Sequence, residues 1–147
     1  MNWTLRAATI DDLGFIFNTY KATMKAYIEA ITEWDEFAQR QHYEATFSVK
    51  DFQIVQFDAE DVGVLSLLDL DTYTFLARIE ILPDYQNRGL GSAILRWLIQ
   101  DAKKHKKPIM LRVYKNNPAQ HLYRRLGWQV VSQDDIQLDM LYGTVDD

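Results

Sequence analysis

Cysteine is absent from the chain, so it can form no disulfide framework, thiolate nucleophile or cysteine-held metal site. The three histidines, His42, His105 and His121, stand far apart without ligand spacing, and no metal is expected. No apolar run approaches the ~20 residues that cross a bilayer, and no membrane partner is expected. The opening Met1-Asn2-Trp3-Thr4 lacks a secretory pattern, which makes the cytoplasm the expected compartment. Positive charge is also short: 16 Lys plus Arg face 21 Asp plus Glu, a net charge of −5. A dedicated nucleic-acid binder needs a basic footprint, so nucleic acid is not an expected partner. Three prolines, no internal repeat and no low-complexity linker break up the 147 residues, and a single domain over 1–147 is expected. What the chain does have is apolar side chains, 48% of the total, enough for a core and too many for disorder.

Their spacing orders the elements. Trp3 to Ala7 reads as a short strand, after which Thr9 looks like a helix cap with Asp11 and Asp12 in the first turn. Leu13, Ile16, Phe17, Tyr20, Met24, Tyr27, Ile28 and Ile31 form one face of a long helix. A second helix is expected from about Glu33 to Thr46, with Trp34, Phe37 and Ala38 facing inward. Phe52 to Phe57, Val62 to Leu70 and Tyr73 to Leu82 read as strands. Leu90, Ile94, Trp97 and Leu98 mark the buried face of a third helix, stopped by Pro108. Its Lys103–Lys107 run complements the helix dipole and is not read as a nucleic-acid patch. Ile109 to Tyr114 is a strand, Asn117-Pro118 opens a fourth helix that Gly127 closes, and Trp128 to Ser132 and Ile136 to Tyr142 are the last strands. The order β-α-α-β-β-β-α-β-α-β-β predicts an α+β (mixed α/β) fold around a central sheet.

Chemistry concentrates at Gln86-Asn87-Arg88-Gly89-Leu90-Gly91-Ser92, between a strand and a helix. It is not a dinucleotide fingerprint, because Ile94 occupies the third small position, and not a P-loop, because Gly91 precedes Ser92-Ala93. A short pyrophosphate cradle remains, with amides from Gln86 to Ser92 as donors and Arg88 adding charge. A tight turn that needs glycine for positive φ explains the same residues equally well. Glu80 interrupts the apolar strand before this turn; it reads as a base or as a solvent-facing member of the alternation. Tyr123, on the fourth helix, reads from periodicity as a core aromatic, and Asn117 as an N-cap. Glu29, Glu33, Asp35 and Glu36, interleaved with Tyr27 and Trp34, form either a wall for a cationic substrate or, preferred on spacing, a solvated helix face.

Taken in order, Gln86 to Gly91 and Val113-Tyr114-Lys115-Asn116-Asn117-Pro118-Ala119 through Leu122-Tyr123-Arg124-Arg125-Leu126-Gly127-Trp128 resemble the two signatures of the GNAT superfamily of acetyl-CoA-dependent N-acetyltransferases. The resemblance covers Tyr73 to Trp128 most strongly and the rest by element order. Ala22-Thr23-Met24 and Glu33-Trp34-Asp35-Glu36 are similar to a subgroup of small bacterial-type members. It implies a central mixed, largely antiparallel sheet splayed in a V and flanked by about four helices. It also implies acetyl-CoA as co-substrate, wedged between the strand at Glu80–Leu82 and the strand at Ile109–Val113. Main-chain groups of Ile81 and Leu82 would meet the pantetheine arm, and Gln86, Asn87, Arg88, Gly89, Leu90, Gly91 and Ser92 the pyrophosphate. Asn117 would contact pantetheine, and Tyr123 would stand near the thioester sulfur. Tyr27, Trp34 and Glu29 are the candidate residues for the amine acceptor.

The implied reaction is direct attack of a neutral amine on the thioester in a ternary complex. Leu82 N–H is expected to stabilise the oxyanion, Tyr123 to supply a proton and Glu80 to take one. A tyrosine near 10 is a weaker acid than a thiol near 8.5, so complete transfer is uphill by about 2 kcal/mol and a strengthening hydrogen bond is favoured. Deprotonating a lysine-like amine near pH 7 costs roughly 4–5 kcal/mol, which is the burden a base relieves. Some protein-acetylating relatives carry a glutamate on the strand after the glycine-turn helix; here that neighbourhood is Leu111-Arg112-Val113. Two other classes compete: a non-catalytic acyl-CoA-binding sensor or structural module, and a protein-interaction module whose glycine turn only builds the fold. The exposed edges of such a sheet leave room for a homodimer.

Overall fold

Alternating apolar residues and helical stripes place the elements where their side chains leave water together. In the computed structural model, which describes residues 2–144, these are β1 (Trp3–Ala7), α1 (Leu13–Glu29), α2 (Glu36–Thr46), β2 (Phe52–Phe57), β3 (Glu60–Asp69) and β4 (Thr74–Ile81). They continue as α3 (Leu90–His105), β5 (Ile109–Tyr114), α4 (Ala119–Leu126), β6 (Gln129–Gln133) and β7 (Gln137–Tyr142). The strands hydrogen-bond in the order β1-β2-β3-β4-β5-β7-β6. Pairs β1–β2, β2–β3, β5–β7 and β6–β7 are antiparallel. β4 and β5 run parallel at Thr74–Leu76 against Ile109–Leu111, as a connection through a helix requires. This is the expected mixed α+β fold with a largely antiparallel sheet.

The chain forms two compact units, Met1–Ser66 with Arg78–Leu90, and Leu67–Ala77 with Gly91–Asp147. In the first, Ile16 of α1, Ile54 of β2 and Val64 of β3 are fully buried and pack with Tyr43, Phe47 and Phe52. Thr9 opens a 3-10 turn over Ile10–Asp12 rather than α1 itself, and Asp12 is buried. Its carboxylate accepts from Thr9 N at 2.7 Å and from both terminal nitrogens of Arg6 at 2.9 Å. α2 starts at Glu36, capped by Asp35, and Phe37, expected to face inward, is 75% exposed. Two residues past the N-cap, its side chain points off the first turn while Tyr43 and Phe47 make the contacts.

In the second unit, Ile94, Leu95, Leu98 and Ile99 of α3 are buried, with Ile109, Leu111 and Val113 of β5 and Leu138 and Met140 of β7. Trp97, expected on the buried face, is 45% exposed; Leu95 and Ile99 replace it, because the buried stripe is rotated by part of a turn. Two helix ends use the same closure with different residues. Gly127 (φ 116°) ends α4, with Trp128 N donating to Tyr123 O at 3.0 Å and Gly127 N to Arg124 O at 3.1 Å. Lys106 (φ 54°) takes the left-handed position after α3, and Lys107 N donates to Ala102 O at 3.0 Å.

Candidate functional site

β4 delivers the chain into a turn that Gln86 holds shut. The Gln86 side-chain amide donates to Ile81 O at 2.8 Å, and Gln86 N donates to Pro83 O at 3.2 Å. The expected row of amide donors therefore loses its first member. Asn87 (φ 61°) and Gly89 (φ 83°) are left-handed, the conformation from which anion-binding concavities are built. Arg88 lies over the Tyr85 ring at 5.3 Å, and Tyr85 meets Phe57 edge-on at 6.4 Å. α3 then begins at Leu90, so its first four N–H groups have no partner within the helix. The two glycines differ. Gly89 is required by its positive φ, whereas Gly91 is not, and a Cβ built on Gly91 meets nothing within 4 Å. The fold leaves Gly91 unexplained, and the space before its Cα is what close approach of a phosphate needs.

The strand edge at Ile81–Leu82 corrects one expectation. Leu82 N donates to Val62 O at 2.8 Å, so it is occupied within the sheet and is not the oxyanion donor. Strand alternation turns Ile81 N–H to the opposite edge. β3 and β4 meet closely here because Gly63 has no side chain: a Cβ there would stand 2.4 Å from Glu80 O.

Glu80 does not face solvent. It is 5% exposed, and both its carboxylate oxygens accept from Arg78, two residues back on the same strand face. Arg78 also donates to the Tyr43 hydroxyl on α2 and lies 4.8 Å from the Tyr20 ring centre on α1. Burial pushes the Glu80 carboxyl above its ordinary value, with Arg78 pulling the other way. Burial likewise opposes the Arg78 charge, but Glu80 outweighs it and holds the guanidinium protonated. The Tyr43 phenol is raised, chiefly by burial. Arg78 and Tyr43 were not singled out from the sequence; opposite charges at i and i+2 in a strand were the available signal for Arg78, whereas Tyr43 had none.

Among the acceptor candidates, the Trp34 indole N–H donates to Glu36 at 3.0 Å, and Lys21 pairs with Glu36 at 3.0 Å. Lys25 lies 6.0 Å over the Trp34 ring, and Asp35 caps α2. These contacts neutralise part of the expected acidic wall. Glu29, at the last turn of α1, is exposed, and Tyr27 is half-buried.

The second unit carries the other motif. Asn117 Oδ1 accepts from Ala119 N at 2.9 Å, which leaves its amide hydrogens as the atoms that can reach a ligand. Pro118 has helical dihedrals ahead of the regular helix. Tyr123 is 8% exposed, its ring 5.9 Å from Trp128, whose indole donates to Ile109 O at 3.1 Å. The closure at Gly127 holds the Tyr123 carbonyl, so backbone and ring are both anchored. Arg112 pairs with Asp134 at 2.8 Å and Asp139 at 3.0 Å, tying β5 to β7 and its turn. Among the described residues, no group of three or more acidic or histidine side chains could hold a metal ion, and no helix is long and apolar enough to cross a membrane.

A left-handed glycine turn at an open helix N-terminus defines the class of protein that can hold a phosphate-bearing ligand. The chain belongs to the acetyltransferase (GNAT) family, whose profile matches residues 15–128. It is 34% identical over 83 residues to the peptidyl-lysine N-acetyltransferase YiaC of Escherichia coli strain K12, a match spanning 54% of each chain. Its fold is similar to that of the PaiA N-acetyltransferase of Thermoplasma acidophilum in complex with coenzyme A. That likeness has TM-score 0.76 and 18% identity, over 98% of this chain and 100% of that one. The ribosomal-protein-S18-alanine N-acetyltransferase of Escherichia coli is also similar, at TM-score 0.69 and 18% identity over 95% and 92%.

Proposed function

We propose that the whole chain acts as one acetyl-CoA-dependent N-acetyltransferase domain, moving an acetyl group to a primary amine of a small molecule or peptide by direct attack in a ternary complex. The observation that carries this reading is Gly91, a glycine that neither φ nor packing requires, at the open N-terminus of α3. In this proposal the amides of 87–92, with Arg88, hold the pyrophosphate. The Asn117 amide and the remaining lone pair of the Ile81 carbonyl hold the pantetheine arm. Acetyl-CoA supplies the activated thioester.

Proton handling falls to the chain. Glu80 accepts the amine proton through the lone pairs that Arg78 leaves unfilled, and Tyr123 donates a proton or a strengthening hydrogen bond toward the leaving thiolate. Ile81 N–H, on the edge of β4 away from Val62, is the oxyanion donor. Tyr27, Trp34 and Glu29 receive the acceptor. No metal, nucleic acid or membrane enters the proposal. The name of the E. coli relative makes a lysine-containing peptide one acceptor to try.

The test has two stages. Saturating acetyl-CoA raises the melting temperature of the wild type, by about 2.7 kcal/mol of added stability at a hundredfold over Kd. Gly91→Val, which meets open space, keeps the ligand-free melting temperature and loses that increment. Equal stabilisation of both proteins removes the cradle. Thiol release is then read with polyamines, amino acids, aminoglycosides and lysine-containing peptides. Binding without release under every acceptor leaves a sensor in place of the enzyme. Tyr123→Phe lowers kcat while the acetyl-CoA affinity stays near wild type, and the opposite split removes Tyr123 from its role.

A further inference from the structure

Resting on the reading that Glu80 accepts the amine proton, we propose that Arg78 is the positioning residue for that step, fixing the carboxylate by its guanidinium fork while Tyr43 and Tyr20 fix the fork. The geometry is specific. Residues i and i+2 of a strand share a face, so Arg78 reaches Glu80 without bending the backbone, and its Nε and one terminal nitrogen meet the two carboxylate oxygens. The other terminal nitrogen is bound to the Tyr43 hydroxyl. The guanidinium is enclosed by the rings of Tyr20 at 4.8 Å, Tyr43 at 5.5 Å and Phe52 at 5.7 Å. Arg78 thus has one rotamer that satisfies all its neighbours, and Glu80 inherits it.

The groups that face this pair are Tyr20 from α1, Tyr43 from α2 and the main chain at Gly63 from β3; Arg40 of α2 lies 4.5 Å over Phe17, next to Tyr43. A carboxyl group this deeply buried would be neutral without its guanidinium, and a neutral acid accepts no proton. Arg78 therefore supplies two things at once: a counter-charge that opposes burial and favours the ionised carboxylate, and a single direction for the lone pairs that remain. Tyr20 lies on α1, which also carries the acceptor candidates Tyr27 and Glu29, and its ring is 5.9 Å from Trp34 in the connection to α2. The segment that would receive the amine therefore also braces, through Tyr20, the group that would take its proton.

The experiment titrates the Glu80 carboxyl carbon by 13C NMR in the free full-length protein, the resonance being assigned by its loss in Glu80→Gln. Wild type, Arg78→Lys and Arg78→Met are compared, with circular dichroism as the check of folding. The midpoint rises in Arg78→Lys, which keeps charge but loses the fork. It rises further in Arg78→Met, by about 1–3 units from wild type. If Arg78→Met does not fold, wild type against Arg78→Lys decides. An unmoved midpoint in Arg78→Lys overturns the proposal. A second readout is kcat/KM with the fastest acceptor of the panel above. Arg78→Met loses about tenfold or more, and Arg78→Met combined with Glu80→Gln is no slower than Glu80→Gln alone. Losses that multiply overturn the proposal. Full activity in Glu80→Gln removes the underlying reading together with the proposal. Loss of activity in Glu80→Gln with an unmoved midpoint removes the proposal alone.

Discussion

Two arginines in one unit each fork onto a carboxylate, and the outcomes differ. Arg6 and Asp12 keep contact with water, with side chains 33% and 12% exposed, and a second acid, Asp61, lies 3.0 Å from Arg6. Hydrogen bonds from Arg6 dominate there and pull the Asp12 carboxyl down to about 2. Arg78 and Glu80 lie deeper, at 15% and 5%, and there burial dominates and pushes the carboxyl up. The donor chemistry is the same at both places; the surroundings decide whether the acid becomes a firm anion or a group with appetite for a proton. The first arrangement stabilises a fold. The second suits catalysis, at the cost of a desolvated charge.

The sharpest break between the two clusters is expected in turnover. Glu80→Gln lowers kcat near pH 7 by about a hundredfold or more, the contribution of a positioned base, and recovers toward the pKa of the amine. Asp12→Asn leaves kcat within about twofold, since no role in the reaction is given to it. Equal losses in both, by steady-state thiol release, erase the distinction.

Stability reverses the order. Asp12 titrates lower in the folded chain than its ordinary 3.8, so its contribution is complete above that value and disappears as pH falls toward 2. At pH 7 it is worth about 2 kcal/mol. Urea melts of Asp12→Asn should show that deficit at pH 7 and a narrowing gap to wild type between pH 4 and pH 2. A constant gap across that range would place the effect in packing rather than in ionisation.

A smaller effect is expected at Asp61, which Arg6 also lowers but which is 37% exposed. Asp61→Asn should cost about 0.5 kcal/mol and weaken further in high salt. The least effect is a backbone one with no charge in it. Asp58 (φ 52°) and Ala59 (φ 68°) form the two-residue turn between β2 and β3. Ala59→Gly, relieving a left-handed alanine, should add about 0.5 kcal/mol by the same urea melts, at every pH. Destabilisation there would mean that the loss of chain entropy outweighs the strain.

Much of this molecule was legible in its residues. Element order followed from apolar spacing. The cap at Asn117, the stop at Gly127 and the turn at Gln86–Ser92 followed from backbone chemistry that acts over a few residues. Phe37 and Trp97 were misplaced because a helical stripe defines a face only to within part of a turn, and the neighbours choose the rest. Glu80 was visible as an interruption, but its state was not: alternation places it on a face without saying whether water covers that face.

The residue order by itself determined the strands, the helices and the glycine turn, because propensity, capping and φ are decided by near neighbours. Only the tertiary structure decided that Gly63 must be glycine, that Val62 occupies the Leu82 amide, and that Tyr43 of α2 meets Arg78 of β4. Those contacts join positions far apart in the chain, and packing density and desolvation are properties of the assembled core, absent from any short stretch of sequence.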